Sequence, residues 1–346
     1  MSSAACARPS RRSAPAASPS WSDPAIPLST PSCAADAILA GADRVLCLGI
    51  GGGGDVVGTM AGAAAARELG ARVELGGLTW ERGPVDPLPG PRRITELDRA
   101  EPVHAYGALA GPDTTGPGGF RFAESHIASV TGRSCALIDP SGGPHGTAAA
   151  IAAVAQRLGC DLVMLLDVGG DVLAEGHEPG LASPLADAVL LAAAPLLRTA
   201  GLPVIACVFG AGCDGELTPT EVLARIAQLD AAGGMLGTAA PPERGLVDIE
   251  RALPFVLTEA SAMALRCARG ERGIAPIRGG RRTVELSEAG GLLHWFDAER
   301  AMASVAPLAS AVADATSLAQ ADEILRARGV RTELEFEVGV AATAQA

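Results

Sequence analysis

The chain has 346 residues, 48% of them apolar, with 43 Gly, 25 Pro and a formal net charge of -12, enough for one large or two modest domains with a true core. All 27 basic residues are Arg, so a P-loop lysine, a Schiff-base lysine and a lysine general base are excluded. Anion or carbonyl chemistry must rest on Arg, backbone amides, His, carboxylates or a metal. An acidic chain without a basic cluster is a poor nucleic-acid binder, and its apolar stretches are too short or too interrupted to span a bilayer.

In chain order, residues 1–38 are rich in Ala, Ser and Pro and lack an apolar h-region despite the pair Arg11-Arg12, so a disordered extension is expected there. From 39 to 340, apolar runs ending in Gly or Asp alternate with Ala-rich stretches of helical spacing. That alternation predicts a single α/β domain, three-layered and Rossmann-like, with a mainly parallel sheet and helices on both faces. A first strand at 44–50 runs into a glycine loop and a helix from Val56 to Leu69, followed by a second strand in "ARVELGGLTW". The stretch 81–130, dense in Pro and Gly, is expected to be a long irregular insertion acting as a lid or substrate arm.

"SCALID" then reads as a strand, 146–158 as a helix and "CDLVMLLDVGGD" as a strand apolar enough to be central. "SPLADAVLLAAAPLLRTA" reads as one helix, "PVIACVFG" as a strand, and "TPTEVLARIAQLDAAGG" as a helix with Thr218 as N-cap, Pro219 at the first position and Glu221 completing a capping box. Beyond Gly245 the pattern is helical, with a strand pair at "RTVEL" and "GGLLHWFD" and a last strand at "RTELEFEV". The 8 Cys show no CxxC spacing, so they are expected to be reduced core residues of a cytoplasmic protein.

The chemistry concentrates in two places. In "RVLCLGIGGGGDVVGT", glycines fill positions 49 and 51–54. Gly49-x-Gly51-x-x-Gly54 between strand and helix allows the amides of Gly51, Gly52, Gly53 and Gly54 to approach a phosphate at a helix N-terminus. The competing reading is a tight turn in which Asp55 caps the free amides. A dinucleotide fingerprint also wants an acid at the end of the second strand; Glu74 lies inside that strand and Glu81 lies late. A carboxylate beside a phosphate is unfavourable unless a donor or a cation stands between them, so Asp55 calls for one or the other.

The second place is "LLDVGGDVLAEGHEPGLASPLAD", with Asp167, Asp171, Glu175, His177, Glu178 and Asp187, together with Asp214 and Glu216 in "FGAGCDGELTP". Carboxylates at adjacent strand ends suit a divalent cation, and an all-oxygen set of Asp167, Asp171 and Asp214 favours Mg or Mn over Zn. The same residues also populate ordinary turns. His177 and Glu178 form a candidate acid/base couple, although a lone loop histidine is commonly surface. Arg121 is the candidate lid cation, Ser141 in "IDPSGGPHGT" a candidate second anion loop, and Ser183 reads first as a helix N-cap and second as a nucleophile.

Three of these motifs in order, "LGIGGGGDVVGT", "LLDVGGDVLAEGHEPGLASPLADAVLLAA" and "FGAGCDGELTPTEVL", resemble the bacterial and archaeal family known as domain of unknown function 1152, over roughly residues 40–340. The resemblance implies an α/β fold and a shared site using Gly51 to Asp55, Asp167 to Asp171, Glu178, Ser183, Asp187 and Asp214 to Glu216. It implies no reaction. The residues themselves lead to the expectation of an enzyme that hydrolyses or transfers a group on a small phosphorylated or carboxylated, nucleotide-like metabolite, with a divalent cation. Two alternatives stay open: an NAD(P)- or flavin-dependent oxidoreductase, and a non-catalytic small-ligand-binding protein. A homo-oligomer is compatible with all three.

Overall fold

The protein is represented by a computed structural model that describes residues 33–344. Among the described residues eleven strands are formed: β1 Arg44–Gly49, β2 Arg72–Leu78, β3 Asp98–His104, β4 Gly107–Thr115, β5 Cys135–Ile138, β6 Leu162–Val168, β7 Val204–Phe209, β8 Met235–Ala239, β9 Gly273–Ile277, β10 Arg282–Leu286 and β11 Leu293–Phe296. Nine make one sheet in the order β3-β4-β5-β2-β1-β6-β7-β11-β8, and β9 and β10 form a separate hairpin. The five inner strands β5-β2-β1-β6-β7 are parallel. β3, β4, β11 and β8 extend the sheet antiparallel at its two ends.

Alternation along the inner strands sends side chains to two cores. Val45 and Cys47 of β1 face the helices Asp55–Glu68, Glu243–Ala252 and Glu259–Ala268, whereas Leu46 and Leu48 face Gly143–Leu158 and Pro184–Ala192. Both faces of these strands are covered, which is why they read as nearly unbroken apolar runs. The result is the expected mostly parallel sheet with helices around it, an α/β fold of Rossmann-like type.

The strand order positions the site. From β1 the chain proceeds outward through β2 to β5 on one side, then returns to add β6 and β7 on the other side. β1 and β6 therefore lie side by side, with Gly49 opposite Leu166, and the connections after them diverge. Such a switch point opens a crevice outside the carboxyl ends of the two strands. The glycine loop follows β1 and the Asp167–Asp171 turn follows β6.

Several local expectations change. The stretch 81–130 carries β3, β4 and the helix Ala123–Thr131, not an irregular insertion. β3 is an edge strand holding Asp98, Arg99, Glu101 and Pro102, mostly exposed, and edge strands admit the Pro and charge that a sequence reading takes for loop. "RTELEFEV" lies largely in the helix Glu333–Ala344. Its apparent alternation arises because Phe336, Val338 and Val340 are exposed while Glu333 and Glu337, one helical turn apart, are held on the inner side. "RTVEL" pairs with β9, and "LHWF" instead joins the main sheet between β7 and β8. The long helix expected after Ser183 is two, Pro184–Ala192 and Ala194–Thr199, with Pro195 at the break, where a missing N–H ends the ladder. Of the extension expected over 1–38, residues 1–32 lie outside the described residues, and the helix Ala34–Ala40 buries Ala35 and Leu39.

The capping box forms as read. Glu221 N donates to Thr218 Oγ1 at 3.2 Å, and Thr218 N donates to Glu221 Oε2 at 2.7 Å. Thr218→Ala is expected to lower stability by ~1 kcal/mol in urea denaturation; an unchanged midpoint would show that the cap contributes nothing. No helix among the described residues is long and apolar enough to cross a membrane.

Candidate functional site

The glycines after β1 have distinct local reasons. A Cβ on Gly49 would lie 2.6 Å from Asp55 C and Val56 N, and one on Gly54 would fall 2.8 Å from Thr258 Cγ2 and Oγ1. Gly52 and Gly53 take φ of 78° and 55°, the left-handed region that glycine tolerates. A Cβ on Gly51 would sit 2.6 Å from Asp55 Oδ2 and 3.3 Å from Asp187 Oδ2. Bareness at position 51 therefore leaves room beside two carboxylates. Gly51 N donates to Asp55 Oδ2 at 3.0 Å and Gly53 N to Trp80 O at 2.8 Å. The capping role of Asp55 is thus real, yet the amides of Gly52 and Gly54 donate to no protein acceptor among the described residues.

Carboxylates from three chain segments converge on this turn. Oxygens of Asp167, Asp171 and Asp187 lie within 4.8 Å of one another, and so do oxygens of Asp171, Asp214 and Glu216. Asp167, at the end of β6, holds its own turn by accepting from Gly170 N at 2.8 Å and Val172 N at 3.4 Å, both at Oδ2. Asp187 enters from the first turn of Pro184–Ala192, and its Oδ1 is buried without a hydrogen-bond partner among the described residues. Asp214 lies flat against the turn because a Cβ on Gly169 would be 2.5 Å from its Cγ.

Glu216 seats the loop before that helix. It accepts from Ala182 N at 2.7 Å, Ser183 N at 2.8 Å and Ser183 Oγ at 2.5 Å, and Arg278 stands 3.4 Å away. Ser183 is therefore fixed by Glu216 and does not cap its helix through its side chain. The cap is Glu333, which accepts from Leu185 N at 3.0 Å and Ala186 N at 2.8 Å. The cation of the crevice is Arg82, from the loop after β2. It donates to Gly51 O, lies 5.2 Å from the Trp80 ring centroid, and among the described residues its ion pairs are long, with Glu333 at 4.0 Å and Glu337 at 3.6 Å.

Other candidates are placed elsewhere. Arg121 donates to Ser125 O at 3.0 Å and is not among the charges acting on the cluster. Ser141 follows β5, separated from β1 by β2, where its amide donates to Asp139. His177 is 77% exposed beside Glu175. Glu178 accepts Glu175 N at 2.7 Å and Gly176 N at 2.8 Å, one on each oxygen, which makes it a turn-holding carboxylate. Neither belongs to a converging group. As for the dinucleotide acids, Glu74 pairs with Arg44 and Arg133 near the start of β2, and Glu81 accepts Ala123 N at 2.6 Å.

Sequence reading missed Arg82 and Glu333; Glu124, which the sequence offers beside Arg121 as a ligand-facing residue of a lid, is instead buried in the helix Ala123–Thr131, and its two oxygens lack partners among the described residues. Glu124 has a weak signal in Gly77, whose missing Cβ makes room for its Oε1.

Crowding raises the proton affinity of these acids. Burial, then the neighbouring Asp167, pushes Asp55 up to about 8. Burial pushes Asp167 up to about 7 even though the Val172 and Gly170 amides oppose it. Asp171 is raised by burial and then by Asp187 and Asp167, Asp187 by burial and then by Asp167 and Asp55, and Asp214 by burial and then Glu216. At Arg82 burial works against the charge, but Glu333, Glu337, Glu216 and Asp187 together outweigh it and raise its pKa. Carboxyls raised in the folded state bind protons that the unfolded chain releases above ~4. Their stabilisation is complete below that pH and is lost as pH rises through 7 to 8. The urea midpoint in EDTA is thus expected to fall between pH 5.5 and 8.5; a flat or rising midpoint would contradict the crowding.

No curated protein matches the chain. A family model does, over residues 46–341, a span that contains the glycine turn, the carboxylate turns after β6 and β7, and Glu333. On that match the chain belongs to the family described as protein of unknown function DUF1152.

Proposed function

We propose that this chain is an enzyme that hydrolyses or transfers a group on a small phosphorylated or carboxylated, nucleotide-like metabolite, in the crevice between the ends of β1 and β6. The observation that carries the reading is convergence. The bare turn at Gly51, the cation Arg82 and the acids Asp55, Asp167 and Asp187, from four chain segments, meet at the switch point of the sheet. Arg82 and the uncommitted amides of Gly52 and Gly54 would take the anionic group. Paired acids whose proton affinities lie near neutrality suit donation to a leaving oxygen and acceptance from an attacking one. The proton itself moves at Asp55, whose affinity its neighbour Asp167 raises, and not at His177 or Glu178, which stand apart. The cytoplasm is the natural setting for a chain in which six of the seven described cysteines are buried free thiols.

The test is a thermal-shift and calorimetric screen against phosphate esters, nucleotides, carboxylates and NAD(P). Arg82→Gln is expected to weaken the phosphate ester that stabilises the wild type by roughly 10- to 100-fold, the worth of a charged hydrogen bond. Arg121→Gln is expected to leave it unchanged. Stabilisation by NAD(P) alone would replace this reading with the oxidoreductase one. Ligand binding without turnover of any ester or anhydride would favour the non-catalytic one.

A further inference from the structure

We infer that Asp167, Asp171 and Asp187 form a binding site for one hard divalent cation, Mg or Mn, and that Asp214 and Glu216 lie outside its ligand set. The inference shares the crevice with the proposed reaction but does not depend on that reaction.

A group of acids is not by itself a metal site, so the partners of each oxygen decide. Asp187 Oδ1 is buried and faces no donor among the described residues, although Asp187 is 1% exposed. A buried polar atom of this kind is unfavourable unless something outside the chain satisfies it. Asp167 has Oδ2 engaged by its own turn and meets the side chain of Asp171 in a hydrogen bond, a contact that two ionised carboxylates, being acceptors only, cannot make without a shared proton or a cation between them. No Arg or His lies within ion-pair distance of any of the three among the described residues, and the chain contains no lysine. Three acids held within 4.8 Å of one another thus lack a contacting countercharge among the described residues, and Arg82 acts on Asp187 only from beyond ion-pair distance. The bare Cα of Gly51 keeps the space beside Asp187 open.

The second group looks alike by distance but differs in chemistry. Glu216 already receives the Ala182 and Ser183 amides, the Ser183 hydroxyl and Arg278, four donors for about four lone-pair positions. Asp214 Oδ1 accepts Glu216 N at 3.1 Å. Glu216 is thus satisfied internally, and Asp214 is tied to it through Oδ1. The work of Glu216 is to seat residues 182 and 183, and through them the helix that presents Asp187. An all-carboxylate set selects Mg or Mn over Zn, which prefers His and Cys.

The experiment uses the full chain stripped with EDTA and titrated with MnCl2, read by calorimetry and by loss of the free Mn(II) electron paramagnetic resonance signal. The expected result is one Mn per chain, weakened by more than about 100-fold in Asp187→Asn, since loss of a direct ligand exceeds the effect of an outer-shell change. In Asp214→Asn binding is expected to stay within a few-fold. Melting curves in EDTA establish that both variants fold. Absence of Mn binding to the wild type would overturn the inference, as would loss in Asp214→Asn with retention in Asp187→Asn, or tighter binding of ZnCl2. Failure of metal binding alongside persistent phosphate-ester binding would sink the cation site and leave the proposed function standing. The opposite pattern would do the reverse.

Discussion

Gly49→Ala is expected to destabilise the fold by about 3 kcal/mol, the upper end of what one inserted methyl does in a packed interior. Gly49 ends β1, and the new Cβ would lie 2.6 Å from Asp55 C and Val56 N and 2.8 Å from Asp55 Cβ. Two of those atoms are backbone, so no rotamer change can relieve the overlap, and the helix Asp55–Glu68 must back away from the sheet. That helix buries Val56, Val57, Met60 and much of its length, so the retreat is resisted by the whole layer. The urea midpoint should drop accordingly, and Asp55 should be displaced from Gly51 N, so any ligand affinity should fall with it. Gly83→Ala is the control. Nothing lies within 4 Å of its Cβ position, and that change is expected within about 0.5 kcal/mol of neutral, because open surface sites absorb such substitutions. Equal effects at 49 and 83 would mean that strand–helix contact is not what the first glycine provides.

What was legible in the sequence follows from what is local. The capping box at Thr218, the apolar β6 and the acids at its end depend on neighbours within a turn or a strand, and periodicity reports such features directly. The strand order does not. Nothing near Gly49 states that β6 and not β5 lies beside β1, yet this adjacency makes the crevice. For the same reason Arg121 was read as the cation of the site, when the structure brings Arg82. The useful signal was Trp80-Glu81-Arg82 directly after a buried strand, where Glu81 drew attention as a ribose acid and its neighbour did not. Glu333 was beyond reach because it caps a helix about 150 positions earlier, and its own segment alternates like a strand.

The two glycine readings prove compatible. Asp55 does satisfy Gly51 N as a cap would, and the turn still leaves two amides and an open flank beside Asp187. A turn made only for tightness would have no need of acids from two other segments, with Arg82 acting on Asp55 and Asp187 only from beyond ion-pair distance. Such an arrangement stores unfavourable energy in the folded state, and functional sites are where proteins retain it.

Asp187→Asn should therefore move stability and function in opposite directions. Removing one of several crowded buried charges, with volume nearly unchanged, is expected to stabilise the metal-free chain by about 1–2 kcal/mol at pH 8, because an unpaired buried charge is worse than a neutral isostere. At pH 5.5 the gain should shrink, since protonation already relieves the raised carboxyls of the wild type. The same substitution should reduce turnover of any phosphate ester the wild type accepts by about 10²–10³-fold, the usual effect of deleting one electrostatic element of a reacting centre. Urea melts in EDTA at the two pH values and steady-state rates in Mn read the two halves separately. A variant less stable than the wild type at pH 8 would mean that Asp187 has a stabilising partner inside the fold. A variant with undiminished rate would mean that the converging acids are not the place where the chemistry occurs.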